Sequence, residues 1–138
     1  MNVTKMEGCG NDFVILDFEE YRKKQQEWLK DVTKSSEFKS APFKVVILHI
    51  PPSGSWHGGI DLRNKFLPVL NENFVDVMLS GHTHNYDYIT PENYSYTDFP
   101  ILVNDNDTYL FIHATKNKML IQQKDMEGRV LNEFNYVK

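Results

Sequence analysis

Cysteine is almost absent from this sequence of 138 residues, in which Cys9 is the only one. A single cysteine excludes an internal disulfide and a zinc cluster built on cysteines. No hydrophobic run is long enough to cross a membrane, and residues 1–10 lack the apolar core of a signal peptide. We therefore expect a soluble protein whose compartment stays undetermined, because an upstream region could carry any targeting signal.

An excess of positive charge is also missing. The sequence has 15 Lys and Arg against 19 Asp and Glu, which gives a net charge of −4 at pH 7. This balance argues against a nucleic-acid backbone as the main partner. The composition, with 41% hydrophobic and 25% charged residues, is typical of globular proteins. Its length and the lack of internal repeats predict one domain over residues 1–138.

Two apolar runs that each lead into histidine are the most informative part of the sequence. Residues 44–52 read KVVILHIPP, and residues 75–88 read VDVMLSGHTHNYDY. Such runs, bounded by Gly or Pro, are typical of buried strands. Residues 61–73 between them have the periodicity of a helix that Pro68 would bend. We therefore predict a strand–helix–strand crossover with parallel strands.

The two predicted strands bring three histidines, His49, His82 and His84, to one edge of the sheet. Ligand crevices form at the carboxyl ends of parallel strands. In an extended segment, the side chains of His82 and His84 would leave the backbone on the same side, and Gly81 would ease the turn. Imidazole is a common ligand for zinc, iron and similar ions. A lone histidine is more often a loop residue, but three at two strand ends favour a metal site.

The N-terminal segments predict a hairpin and then a helix. Residues 1–17 contain two short apolar segments on either side of a Gly-Asn turn. Residues 18–34 have the apolar stripe of an amphipathic helix, in which Trp28 is interpreted as core packing. The polar residues 35–42 are predicted to be a linker, and residues 43–50 the first buried strand.

Near the end of the chain, short apolar segments separated by turn residues predict a series of strands. The strands are expected at residues 101–103, 108–115, 118–123 and 130–136. The sequence therefore predicts an α/β fold, with a mixed sheet, two main helices and a C-terminal antiparallel meander.

The strings HIPP at residues 49–52 and SGHTH at residues 80–84 together resemble the second half of a calcineurin-like metallophosphoesterase. This family includes purple acid phosphatases and many nucleotidases and phosphodiesterases. The resemblance implies half of a four-layer αββα sandwich and a phosphatase or phosphodiesterase that acts on small-molecule phosphoesters or phosphoproteins. It further implies a centre of two ions of Mn, Fe or Zn, with His49 and His82 on one ion and His84 on the other.

The loop at residues 53–59 would lie at the mouth of such a site. Trp56 could then lie against an organic leaving group, and His57 could touch phosphate. An ordinary mobile surface loop is an equally good interpretation. Tyr88 stands where relatives that resemble purple acid phosphatases often have an Arg, so any charge pairing made by that Arg is missing here.

The first half of that family supplies ligands that this sequence lacks. They lie in a D-x-H pair, a G-D-x-x-D motif with a bridging aspartate and a G-N-H-[DE] segment, and none of these strings occurs here. Hydrolysis of this kind needs two ions about 3.5–4 Å apart. We therefore expect the C-terminal part of a longer enzyme, with incomplete metal occupancy and little activity alone. The sheet edge left exposed would favour a homo-oligomer.

Two other interpretations remain open. A degenerate, non-catalytic domain used for binding or assembly would also lack those carboxylates. Residues 5–13, KMEGCGNDF, also resemble the start of diaminopimelate epimerases, in which the Asn helps to bind substrate. Those enzymes need two active-site cysteines in Gly-rich loops, and this chain has one cysteine and neither loop. An isomerase is therefore the weakest of the three hypotheses.

Overall fold

The computed structural model describes the backbone of residues 3–8, 11–16 and 18–138, and the side chains of residues 19–138. Strands β1 (Val3–Gly8) and β2 (Asn11–Leu16) pair antiparallel, which confirms the predicted hairpin. Cys9, the only cysteine, lies outside the described residues.

Two helices follow the hairpin. Helix α1 (Phe18–Lys34) covers the predicted amphipathic segment. Helix α2 (Ser36–Ser40) occupies the stretch predicted to be a linker. The linker prediction is wrong because Ser35 caps this short helix, its Oγ accepting a hydrogen bond from the Phe38 backbone N–H at 3.2 Å.

The prediction that Trp28 packs in the core is also wrong. Its side chain is 63% exposed, whereas Leu29, the next residue of α1, packs against the core. Trp28 lines an apolar groove between α1 and the edge of the central sheet, where Ile47 and Leu48 form part of the opposite wall. The apolar stripe of α1 is therefore wider than the part of the helix that the sheet covers, and Trp28 lies outside the covered part.

The crossover between the histidine strands begins earlier than predicted. It consists of helix α3 (His57–Asp61), a π-helical segment (Leu62–Phe66) and helix α4 (Leu67–Glu72). Residues 57–59 are therefore helical, which corrects their assignment to a mobile loop. Pro68 lies in the first turn of α4, where a missing backbone N–H costs little.

The central sheet contains four strands in the order β3-β4-β6-β5. They are β3 (Val45–Ile47), β4 (Val77–Ser80), β5 (Asp87–Ile89) and β6 (Ile101–Val103). Strand β4 is parallel to both β3 and β6, which confirms the crossover, and β5 runs antiparallel to β6. Strand β3 is shorter than the predicted strand over residues 43–50. It lies at a sheet edge, and its Ile47 is 73% exposed.

The C-terminal strands form a second, three-stranded sheet. Strands β7 (Thr108–Ala114), β8 (Lys118–Asp125) and β9 (Val130–Val137) form an antiparallel meander, as predicted. Residues 101–103, which were expected among the same closing strands, instead form β6 of the central sheet. One core cluster lies between the helices and the central sheet, and it includes Leu67, Leu70, Met78 and Ile101. A second includes Val77, Leu79, Leu102, Met119 and Ile121 and joins the two sheets. This mixed α/β arrangement matches the predicted fold class.

Within the part of the chain that the structure describes, no helix is both long enough and apolar enough to cross a membrane.

Candidate metal centre

Two of the three predicted histidines meet at the carboxyl ends of β3 and β4. The His82 Nδ1 atom lies 3.1 Å from the His49 Nε2 atom. Their ring centroids are 5.0 Å apart, and the rings meet edge to face at 85°. The backbone holds the same two segments together, because the Gly81 N–H donates to the His49 carbonyl at 3.1 Å. The crossover thus places side chains 33 residues apart in direct contact.

The third histidine does not join this pair. Across residues 19–138, no group of three or more His, Cys, Asp or Glu side chains could hold a metal ion. His84 is exposed and lies two residues beyond His82, in the bends that follow β4.

The backbone of the GHTH segment differs from the extended form expected for it. Strand β4 ends at Ser80, and His82 and His84 have φ angles of 69° and 59°. Positive φ is uncommon outside glycine, although His is enriched among the exceptions. The argument that both side chains leave an extended strand on the same side is therefore wrong. Gly81 has neither a positive φ nor a crowded Cβ position, so the two histidines make the turn.

Neighbouring strands hold this turn by its backbone. The Asn104 N–H, just after β6, donates to the Ser80 carbonyl at 2.7 Å. The Thr83 N–H donates to the Gly81 carbonyl at 2.8 Å. Together with the bond between Gly81 and His49, these contacts fix the segment between the ends of β3 and β6. These hydrogen bonds therefore fix the backbone position from which the His82 side chain extends.

Trp56 contacts His82 directly. Its ring centroid lies 5.6 Å from that of His82, at an interplanar angle of 69°. The side chain of Trp56 is 37% exposed. His57, the first residue of α3, is exposed. The sequence placed Trp56 near the site but gave no signal for its contact with His82.

The carboxylate of Asp61 lines the same pocket as His49. It is ion-paired with Arg22 and, at 3.3 Å, with Lys65. Two cations therefore compensate the charge of this carboxylate, and of these Arg22 also lines the pocket. The ion pair with Arg22 links α3 to α1. Because its charge is already paired, we do not include the Asp61 carboxylate among the candidate metal ligands.

Two tyrosines downstream of the GHTH segment remain neutral near pH 7. Burial, reinforced by the charges of Tyr88 and Asp87, raises the pKa of Tyr86. Burial and the charge of Glu92 likewise raise the pKa of Tyr88. Tyr88 packs against Phe134 of β9, with ring centroids 4.9 Å apart. Tyr88 of β5 thus takes part in the packing between the central sheet and the C-terminal sheet.

The facing nitrogens of His49 and His82 fit a shared metal ion. Nitrogen ligands bind zinc at about 2.0–2.1 Å, so two of them on one ion are separated by roughly 3–3.4 Å for angles near the tetrahedral value. The observed 3.1 Å lies in this range. A zinc site usually has three or four protein ligands. The same 3.1 Å is the length of a hydrogen bond in which one ring nitrogen donates to the other. Both nitrogens must be unprotonated to bind one ion, so it is the spacing of the pair that fits two ligands of a shared ion.

Comparison with known proteins identifies the class to which this site belongs. The sequence model of the calcineurin-like phosphoesterase family matches residues 8–86, more than half of the chain. The chain therefore belongs to this family. The name of the family describes its members as phosphoesterases.

Two particular proteins are similar to the chain. Purple acid phosphatase 5 of Arabidopsis thaliana is 34% identical over 67 residues, which are 46% of this chain and 17% of that protein. A solved structure described as GAP50, the anchor in the inner membrane complex of Plasmodium, has 16% identity and a TM-score of 0.67. The superposition covers 99% of this chain and 54% of that chain. The chain thus spans about half of its structural neighbour and a far smaller share of the plant phosphatase.

These matches confirm the family resemblance and the metallophosphoesterase-like fold. They give no support to the resemblance between residues 5–13 and diaminopimelate epimerases.

Proposed function

We propose that this chain supplies the histidine side of a two-metal centre that hydrolyses phosphoesters. His49 and His82 hold one ion, and His84 holds its neighbour. The contact of 3.1 Å between His82 Nδ1 and His49 Nε2 is the observation that carries this proposal. Family membership supports the reaction class. Zn and Fe suit imidazole ligands, and Mn is included because of the family resemblance.

Two bound ions supply a clamp for the phosphate and a hydroxide formed from water near neutral pH. In this proposal the residues of this chain hold the ions and orient the substrate. The ends of β3 and β4 hold the backbones of the two histidine segments side by side, because the Gly81 N–H donates to the His49 carbonyl at that point. His57 is exposed and follows Trp56, whose ring contacts His82. We assign both residues to the side where a phosphoester or phosphoprotein substrate enters.

The proposed centre is a half-site. His49 and His82 provide two ligands, and the described residues contain no larger metal-binding group. Two ions with three or four protein ligands each would need more ligands than His49, His82 and His84 supply. We propose that the chain is the C-terminal part of a longer enzyme, whose upstream half carries the D-x-H and G-D-x-x-D motifs. Metal occupancy is then incomplete in the isolated chain.

A phosphatase assay tests the proposal. We expect a longer form that contains the two upstream motifs to hydrolyse p-nitrophenyl phosphate with Mn, Fe or Zn. We expect the 138-residue chain to show little activity under the same conditions. Changing His82 to Asn in the longer form should remove activity, since one ion loses a ligand. Absence of hydrolysis by the longer form with all three ions would overturn the proposal.

A non-catalytic role in binding or assembly is the second candidate. It is favoured by the missing upstream motifs and by the structural neighbour, which is described as an anchor. The two functions differ in their need for metal. A longer form that stays folded but binds no metal by calorimetry would favour the non-catalytic role.

The exposed edge of the central sheet leads us to propose self-association. Among the strands that the structure describes, β3 has β4 on one side and no partner on the other. An edge strand presents unpaired N–H and C=O groups that can bind a second strand. Ile47 of β3 is 73% exposed and Trp28 beside it is 63% exposed, so pairing with a second copy would also cover apolar surface.

We expect sedimentation velocity to show a dimer at micromolar concentration and a monomer for Ile47→Lys, because a lysine on an edge strand opposes pairing. Val137→Lys is the matched control, since Val137 is 71% exposed on an edge strand of the other sheet. A monomeric unmodified chain, or dissociation by Val137→Lys alone, would contradict an interface at β3.

A further inference from the structure

We infer that Trp56 is a positioning residue, which holds the imidazole of His82 so that its Nδ1 faces His49. This inference rests on the proposed metal function. It assigns Trp56 a role through a neighbouring side chain, in place of the substrate contact suggested by its position in the loop.

The His82 ring is held between two aromatic neighbours. It meets His49 edge to face at 85° and Trp56 at 69°, with centroid distances of 5.0 Å and 5.6 Å. Both are favourable geometries for aromatic pairs. His82 is otherwise exposed and lies in a bend, so few other contacts restrict rotation of its side chain. The contact with Trp56 therefore reduces the number of orientations open to the ring.

Two glycines make the space for the indole ring. A Cβ atom added to Gly54 would lie 2.7 Å from Trp56 Cζ3, and one added to Gly59 would lie 2.9 Å from Trp56 Nε1. Gly54 also has a φ of +81°, a conformation that side chains rarely adopt. Gly54 and Gly59 thus leave room for the indole ring, although the atom nearest to a Cβ at Gly59 is the Ser53 carbonyl oxygen at 2.7 Å.

The loop that carries Trp56 is itself anchored. The Arg63 guanidinium donates to the Pro52 carbonyl and, at 2.9 Å, to the Gly54 carbonyl. Arg63 also stacks on Tyr96, with its Cζ atom 5.7 Å from the ring centroid. At the other end, the Trp56 carbonyl accepts a bond from the Ile60 N–H at 3.1 Å within α3. Trp56 is therefore a fixed neighbour of His82.

The test compares zinc affinity by calorimetry among variants of the 138-residue chain. We expect Trp56→Ala to bind zinc about threefold to tenfold more weakly, the range that corresponds to losing one aromatic pair. Trp56→Phe should recover part of this loss, because a phenyl ring can still meet His82 edge to face. Trp28→Ala is the matched control, since it removes the other tryptophan from an exposed surface and should leave zinc affinity unchanged.

A double-mutant comparison separates positioning from general stability. With His82 replaced by Asn, Trp56→Ala should cause no further loss of zinc affinity if it acts through His82. An equal loss in both backgrounds, or unchanged affinity in Trp56→Ala, would overturn the inference.

The metal-free chain provides an independent readout. We expect the His82 ring protons, which lie beside the indole, to change chemical shift in Trp56→Ala and not in Trp28→Ala. The NOE between the His82 and His49 rings should also weaken in Trp56→Ala. If the unmodified chain binds no zinc, these NMR signals still decide the inference, and the phosphatase assay of the longer form decides the proposed function separately. An unchanged NOE in Trp56→Ala would contradict it.

Discussion

Replacing His82 with Asn is expected to weaken zinc binding by more than about a hundredfold, beyond the 10–100-fold cost of losing an outer-shell partner. The His82 Nδ1 and His49 Nε2 atoms face each other at 3.1 Å. The substitution therefore removes one of the two nitrogen ligands that this pair would provide. Asn is the replacement of choice because it tolerates the positive φ of 69° at this position. Calorimetric titration of the 138-residue chain measures the effect.

His49→Ala should give the same loss, since it removes the other nitrogen of the pair. His113→Asn is the matched control, because His113 is exposed on β7 and belongs to another sheet. Unchanged zinc affinity in both His82→Asn and His49→Ala would show that the ion binds elsewhere. An equal loss in His113→Asn would point to non-specific binding by histidine.

Gln123→Leu is expected to reduce the free energy of unfolding by about 2–4 kcal/mol, because it leaves hydrogen-bonding groups in the interior without a partner. Gln123 is 1% exposed. Its Nε2 donates to Asn104 Oδ1 at 3.2 Å and to Thr108 Oγ1 at 3.0 Å, and its Oε1 accepts from Asn132 Nδ2 at 2.7 Å. Urea denaturation followed by circular dichroism measures the change.

Gln122→Leu is the control for this prediction. Gln122 is the adjacent residue of β8, and its hydrogen bond to Glu133 lies at the surface, so the expected loss is under about 1 kcal/mol. Equal stability of the two variants would contradict a structural role for the buried network. The network also bears on the metal centre, because the Asn104 N–H holds the Ser80 carbonyl just before the GHTH segment.

Long, periodic segments were predictable from the sequence. The apolar stripe of residues 18–34 predicted α1 with its observed bounds. The crossover over residues 44–88 predicted parallel β3 and β4, because a helix between two apolar runs leaves few other topologies. The turn residues between the last apolar segments likewise predicted the meander. In each case local periodicity and tertiary packing favour the same structure.

The short secondary-structure elements and the solvent exposure of individual apolar side chains were not predictable from the sequence. Helix α2 has five residues and depends on the Ser35 cap, and β5 has three residues and depends on pairing with β6. The exposure of Trp28 and Ile47 depends on where the sheet ends, and neither residue type indicates that. These features follow from tertiary contacts that a periodic pattern does not contain.

The candidate site was predictable in part. The two strand ends predicted that His49 and His82 would lie close together, since parallel strands align their carboxyl ends. The left-handed conformation of His82 and His84 was missed, because histidine gives no strong signal for positive φ. The contact between Trp56 and His82 depends on the space beside Gly54 and Gly59, which becomes apparent only when the loop is folded.

Anomalous diffraction at the zinc absorption edge, from crystals of the chain soaked in zinc, tests the central claim most directly. The half-site predicts an anomalous peak at about 2.0–2.1 Å from both His49 Nε2 and His82 Nδ1, the usual zinc–nitrogen distance. A well-occupied zinc ion elsewhere, with the two imidazoles still in contact and no peak between them, would contradict it.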